Sequence, residues 1–276
     1  PVPYWVSFSE HVTMADGKPD FVKGNPDELY KITVEDLEAV RTDKTVALLI
    51  NSPSNPTGAT YTREEKAAIG NWAVEHGITI IADEIYSQLV YNGTEPSSFA
   101  SLSDEIREQT IIVNGVSKTY AMTGWRIGYA LGNNKVIEAM TKHASQATGN
   151  PVGVSQYAAI AAYNDEKNET EEMRLSFEQR LNKAYDLLTA IPGFKLPKKP
   201  EGAFYLFPDV TEAAKMTGYD SVDDFGLALI EEAYVVSVVG SSFGLPECLR
   251  FSYAVSEEVF AEGMRRIKAF IEEKSN

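Results

Sequence analysis

The chain has 276 residues, 43% hydrophobic, 24% charged and 11% aromatic, a composition that builds a sizeable core and excludes disorder and collagen-like structure. Asp and Glu number 40 against 25 Lys and Arg, a net charge of −15 that repels phosphodiester backbones, so nucleic acid is not an expected partner. The longest apolar runs, such as Val46 to Ile50 and Ile78 to Ala82, are too short to cross a bilayer, Cys248 is the single cysteine, and Pro1-Val2-Pro3-Tyr4-Trp5 has no leader features, so membrane insertion, secretion and disulfides are not expected and a reducing cytoplasm is.

From Val46 to Leu131 short β-branched runs alternate with amphipathic helical stretches, the pattern of a parallel sheet covered by helices. The expected strands are Val46 to Ile50, Ile78 to Ala82, Thr110 to Asn114 and Ile127 to Leu131. Between the first two, Thr62 with Glu65 reads as a capping box, Ile69, Trp72 and Ala73 as an inner helical face, and Gly77 as the stop, which makes one right-handed βαβ unit. A helix is expected from Lys135 to Gln146, then a long helical stretch from Val154 to Ala190, whose charged middle suits an exposed helix joining two domains. Pro192-Gly193 ends it. Strands near Phe204 to Phe207, Tyr234 to Val238 and Leu249 to Tyr253, with helices near Ser221 to Ala233 and Ser256 to Glu273, make a smaller α+β unit. The expected division is a large α/β domain over residues 1–164, then an interdomain helix and small domain over 165–276.

In an open α/β sheet ligands bind beyond the carboxyl ends of the strands. There the chain reads Asn51-Ser52-Pro53-Ser54-Asn55-Pro56-Thr57-Gly58, then Asp83-Glu84-Ile85-Tyr86, then Gly115-Val116-Ser117-Lys118. Taken singly each is ordinary: Asn55 to Gly58 reads as a turn, Asp83 as a helix cap, Lys118 as a solvated lysine and Arg126 as a surface ion-pair partner. Together they ask for one ligand with an aldehyde for an amine, a ring nitrogen for a carboxylate, a phenolate oxygen and a phosphate. Pyridoxal 5′-phosphate has all four.

The run Gly115-Val116-Ser117-Lys118-Thr119-Tyr120-Ala121-Met122-Thr123-Gly124-Trp125-Arg126-Ile127-Gly128 resembles the lysine-attachment signature of fold type I pyridoxal-phosphate enzymes of the class I/II aminotransferase family. The likeness runs from Pro3-Tyr4-Trp5 to Leu249-Arg250-Phe251-Ser252-Tyr253 and is closest to the bacterial aspartate aminotransferase subgroup. It implies a mainly parallel sheet of the seven-stranded type with flanking helices, a smaller α+β C-terminal domain, and transamination between an L-amino acid and a 2-oxo acid. By resemblance Lys118 is the Schiff-base lysine and moves the proton between Cα and C4′. Asp83 pairs with the pyridinium nitrogen, Tyr86 and Asn55 bond the ring oxygen, Arg126 grips the phosphate, Trp5 stacks on the ring, and Arg250, with Asn55, binds the substrate α-carboxylate. Trp5 also reads as ordinary core and Arg250 as a structural ion-pair partner. A homodimer with a shared active site is expected on the same ground.

Two departures stand out. The arginine that binds the distal carboxylate in animal-type relatives has no counterpart, since Ser145 stands upstream of Gly149-Asn150-Pro151, leaving aspartate, aromatic and aliphatic donors open. Family members run to about four hundred residues, longer than the modal single domain; about the first quarter, including the glycine loop and helix N-terminus that cradle the phosphate, is expected to lie upstream. The chain alone is therefore expected to be inactive.

Other chemistries fit less well. Gly240-Ser241-Ser242-Phe243-Gly244 satisfies Gly-x-Ser-x-Gly, but His11, His76 and His143 all precede Ser242, whereas an α/β-hydrolase needs its histidine after the serine. Three isolated histidines and one cysteine offer no metal cluster, and Ser117 breaks any P-loop reading of the lysine segment. Within pyridoxal chemistry the alternative is a Cβ–Sγ lyase or other α,β-eliminating enzyme, because the fold does not fix the reaction.

Overall fold

The computed structural model describes residues 1–165 and 167–275. In chain order the regular elements begin with α1 (Ser7–Met14), α2 (Val34–Val40), β1 (Ala47–Asn51), α3 (Arg63–His76), β2 (Thr79–Asp83), α4 (Asp104–Glu108), β3 (Thr110–Gly115), β4 (Gly128–Leu131) and α5 (Asn134–Ala147). They continue with α6 (Gly153–Asn164), α7 (Glu169–Thr189), β5 (Tyr205–Leu206), α8 (Thr211–Met216), α9 (Val222–Glu231), β6 (Val238–Val239), β7 (Leu249–Ser252) and α10 (Glu257–Lys274).

These pack as two compact units that are discontinuous in sequence. A sheet unit comprises Thr33–Pro53 and Thr60–Arg174; a mixed unit comprises Pro1–Ile32, Ser54–Ala59 and Leu175–Asn276. The division differs from the two consecutive segments expected, 1–164 and 165–276, because the first residues pack with the last. Val2 is buried in one cluster with Phe207, Phe243, Leu245 and Cys248, and the Tyr4 amide donates to the Phe243 carbonyl at 3.1 Å. Local patterning carries no sign of such long-range packing.

In the sheet unit the strand order is β1-β2-β3-β4. The first three strands are parallel, with Asn51 beside Asp83 and Asp83 beside Val113, so their carboxyl ends lie level. Ile80 and Ala82 of β2 are almost fully buried, the alternation of a strand whose inner face meets a covering layer. Of the seven-stranded type implied by the resemblance, four strands are present among the described residues. β4 runs antiparallel to β3, where the sequence pattern suggests a parallel sheet. The link from β3 to β4 holds only a 3-10 turn at Thr123–Trp125, and a parallel return needs a long crossover.

The helix between β1 and β2 forms as the sequence predicts. The Thr62 hydroxyl accepts from the Glu65 amide, the Glu65 carboxylate accepts from the Thr62 amide, and Gly77 closes the helix at φ 64°. Ile69, Trp72 and Ala73 are buried on its inner face, joined there by Lys66.

Gly115 lies where β3 and β4 come closest. A Cβ there would stand 2.6 Å from the Ile127 carbonyl oxygen and 3.0 Å from the Gly128 Cα, and backbone atoms cannot yield as a side-chain tip can. Gly115→Ala is expected to spread this pair directly before Lys118, costing about 1–3 kcal/mol in urea unfolding.

The mixed unit carries a three-stranded antiparallel sheet ordered β5-β7-β6, with Phe225 of α9 and Phe270 of α10 meeting at 6.3 Å. The strand expected over Tyr234 to Val238 shrinks to Val238–Val239, because Tyr234 adopts φ 57°, a left-handed conformation incompatible with a strand. The helical stretch expected from Val154 to Ala190 is two helices. The Asp165 carboxylate accepts from the amides of Glu169 and Thr170, both at 3.0 Å, and so starts α7 as a fresh helix.

Candidate active site

The level ends of β1, β2 and β3 set out the sheet unit's polar residues. Asp83 is the last residue of β2. Its backbone carbonyl accepts from the Asn51 side-chain amide at 3.0 Å, and its carboxylate accepts from the Ile85 amide at 3.0 Å. The chain then turns, with the Ser87 amide donating to Glu84 and the Leu89 amide to Tyr86, which places Tyr86 one turn beyond Asp83 with its ring buried.

Burial pushes the Asp83 carboxyl up to about 6; the Ile85 amide and the Lys118 ammonium pull it down, and the Glu84 carboxylate pushes it further up. Desolvation dominates, so the protein's own groups do not hold this carboxylate fully charged. A cation placed against it would.

Lys118 is partly buried in the loop after β3. Its Nζ lies 5.9 Å from the centre of the Tyr86 ring. Residues Ala121 and Arg126 in the same loop take φ 52° and 53°, left-handed conformations that cost a non-glycine residue about 1–2 kcal/mol each. Such strain gathers where a backbone must present particular side chains. Arg126 is exposed and uses Nη1 to hold the Thr123 carbonyl at 2.8 Å, which braces the guanidinium and leaves its outer edge toward solvent.

The mixed unit holds the remaining expected residues. Arg250 on β7 donates from Nη1 to the Asn55 side-chain oxygen at 2.8 Å. Its guanidinium carbon sits 4.5 Å from the Tyr205 ring centre and 4.9 Å from that of Phe243, a placement that fixes a planar cation between aromatic faces. Sequence reasoning misses Tyr205 and Phe243; neither β5 nor the glycine-flanked turn around Phe243 signals contact with a distant arginine.

Trp5, just before α1, is 37% exposed and meets Phe8 and His11 edge-on at 5.4 and 5.9 Å, so it is not a core residue. The Gly240–Phe243 segment is a 3-10 turn in which the Ser241 hydroxyl donates to the Asp223 carboxylate at 2.8 Å, ordinary loop anchoring. The Ser145 hydroxyl donates to the Lys142 carbonyl and brings no cation for a distal carboxylate. No group of His, Cys, Asp and Glu suited to a metal occurs among the described residues, and no described helix is long and apolar enough to cross a membrane.

A buried carboxylate that needs a cation, a phenol one turn on, an amine beside that phenol and a braced arginine fit pyridoxal 5′-phosphate group by group. The model of the family "Aminotransferase class I and II" matches residues 1–267. An aspartate aminotransferase of Bacillus sp. (strain YM-2) is 54% identical over 98% of this chain and 69% of its own length, and an asparagine–oxo-acid transaminase of Streptococcus mutans is 50% identical over 99% and 69%. Among solved structures, an aromatic aminotransferase from Pyrococcus horikoshii OT3 superposes with a TM-score of 0.91 at 38% identity, over 98% of this chain and 72% of that one. An aspartate aminotransferase from Rhizobium meliloti gives 0.91 at 37%, over 99% and 69%. The chain belongs to the class I and II aminotransferases, enzymes that depend on pyridoxal 5′-phosphate.

Proposed function

We propose that this protein transfers the amino group of L-aspartate to a 2-oxo acid, with Lys118, Asp83 and Tyr86 as catalytic residues. When bound, pyridoxal 5′-phosphate supplies a conjugated electron sink and a carbonyl carbon that carries the amino group between donor and acceptor. The observation that carries the reading is the juxtaposition of the Lys118 amine with the Tyr86 ring at 5.9 Å and with the charge of the buried Asp83 carboxylate.

Each residue has a role set by its chemistry. Asp83 would hold the protonated ring nitrogen, whose charge would in turn keep the carboxylate ionised. Tyr86 and Asn55 would hold the ring oxygen, and Arg126 would hold the phosphate with the fork that arginine presents. Lys118 would hold the cofactor through its carbonyl carbon and would move the proton at the substrate Cα. Trp5 would cover the ring face. Arg250, fixed between Tyr205 and Phe243, takes the α-carboxylate common to amino and oxo acids. The names of the Bacillus and Streptococcus relatives support aspartate first and asparagine next as donors. The family resemblance supports a cytoplasmic homodimer with a shared active site.

The test is a half-reaction of the full-length protein without oxo acid. L-Aspartate should convert the protein-bound cofactor from its visible-absorbing form to the pyridoxamine form, with loss of the visible band and without release of ammonia. Ammonia release with return of the visible form contradicts the reading. Because Arg250 meets both substrates, Arg250→Gln is expected to raise KM for donor and acceptor alike by about 10- to 100-fold, the worth of a charge-assisted hydrogen bond, with a smaller fall in kcat. Steady-state kinetics with each substrate varied in turn measures this.

A further inference from the structure

Two charged groups lie buried behind the turn that carries Asp83 and Tyr86. Lys66 occupies the inner face of α3 and is 1% exposed. Burial depresses its ammonium, and the Glu84 carboxylate draws it back up. Its Nζ donates to the Ser97 carbonyl at 2.5 Å and lies 5.8 Å from the Phe99 ring centre. Glu84, directly after Asp83, is 4% exposed. Its amide donates to the Val113 carbonyl at 2.9 Å, tying it to β3, and its carboxylate accepts from the Phe99 amide at 3.1 Å and from the Ser98 side chain.

The two opposite charges thus hold the ends of one short segment, Lys66 at Ser97 and Glu84 at Phe99. Burying both is costly, and an apolar pair of similar volume would serve stability as well or better. What the charged arrangement adds is a single permitted geometry, since each group is satisfied only when Ser97–Phe99 lies where it does. Consecutive residues at a strand end leave the backbone on opposite sides, so fixing Glu84 fixes the direction in which the Asp83 side chain leaves the backbone.

We propose that Lys66 and Glu84 form a charge clamp on Ser97–Phe99 and act as positioning residues for the Asp83–Tyr86 pair. The proposal rests on the reading above that Asp83 and Tyr86 hold the cofactor ring.

The test compares wild type, Lys66→Met and Glu84→Gln for melting temperature, for the dissociation constant of added pyridoxal 5′-phosphate, and for the pH midpoint of the bound cofactor's visible band. Glu84→Gln keeps an acceptor for the Phe99 amide and removes only the charge. Both variants, still folded at 10 °C by circular dichroism, should bind the cofactor roughly tenfold more weakly, as a sub-ångström misplacement of ring contacts implies, and should shift the midpoint. Lower melting temperatures with an unchanged dissociation constant and midpoint would show fastening that serves the fold alone and overturn the clamp. A full-length wild-type protein with no visible band overturns the cofactor reading itself, and the clamp with it. If Lys66→Met does not fold, Glu84→Gln decides.

Discussion

Replacing Lys118 by alanine is expected to lower transamination by about four orders of magnitude, the upper range for a positioned proton-transfer group, while leaving the protein folded. The side chain is only partly buried in a loop, so its truncation leaves no core cavity. Two functions disappear together: the covalent hold on the cofactor and the proton movement at the substrate Cα. Cofactor binding should persist through Arg126, Asp83 and Tyr86, without covalent attachment. Added methylamine should restore part of the rate, because it replaces the missing amine; a misfolded site would not respond. Stopped-flow half-reactions with and without amine, beside a thermal melt, measure all of this. A variant retaining more than about a tenth of the rate would remove Lys118 from the mechanism, since a general acid–base group contributes at least about 100-fold.

Asp83→Asn is expected to have opposite effects on activity and on stability. Activity falls by about 10²- to 10³-fold, the range for losing one preorganised electrostatic partner, since an amide does not hold a proton on the ring nitrogen. The cofactor-free protein, in contrast, becomes more stable at alkaline pH. Burial raises the Asp83 carboxyl to about 6 in the folded protein, against about 4 in an unfolded chain. Below pH 4 the group is protonated in both states and costs nothing. As pH rises from 4 to 6 the unfolded chain ionises first, so the folded state loses stability through this window and carries the full penalty above it. The difference between the folded and unfolded carboxyl is worth about 3 kcal/mol. Urea unfolding of cofactor-free wild type and Asp83→Asn at pH 4.5 and pH 8 should therefore show a gap that opens with pH. A gap of equal size at both values would trace the effect to packing instead of charge.

How much of this is legible in the sequence depends on the range of the interaction. Thr62, Glu65 and Gly77 announce both ends of α3 because caps act within one turn. The residues after β1, β2 and β3 announce the site, since strand ends follow from local patterning. What stays hidden is set at long range or by backbone detail. The packing of Val2 with Phe207 and Phe243 moves the first residues into the unit built mainly from the last. The break at Asp165 depends on its carboxylate capping Glu169 and Thr170, a contact that the helical periodicity of the flanking stretches does not show. The reversal of β4 follows from a loop whose left-handed residues, Ala121 and Arg126, are neither glycine nor asparagine.

Lys66 is open to discovery from sequence. It stands three residues before Ile69 and seven before Ala73, on the face those apolar residues define, and a lysine at an inner position needs a buried acceptor. The acceptor, the Ser97 carbonyl, lies in an irregular segment that no periodicity locates. In the same way the sequence points to Arg250 but not to its aromatic setting, because Tyr205 and Phe243 reach it from separate stretches of chain.

On this reading Lys118 is the residue that joins the cofactor. The most direct test is borohydride reduction of the purified full-length protein after incubation with pyridoxal 5′-phosphate, followed by proteolysis and mass spectrometry of the peptides. The expected result is one phosphopyridoxyl group, carried by the peptide containing Lys118 and absent when L-aspartate is added before reduction. Label spread over exposed lysines, with Lys118 unmodified, would contradict it.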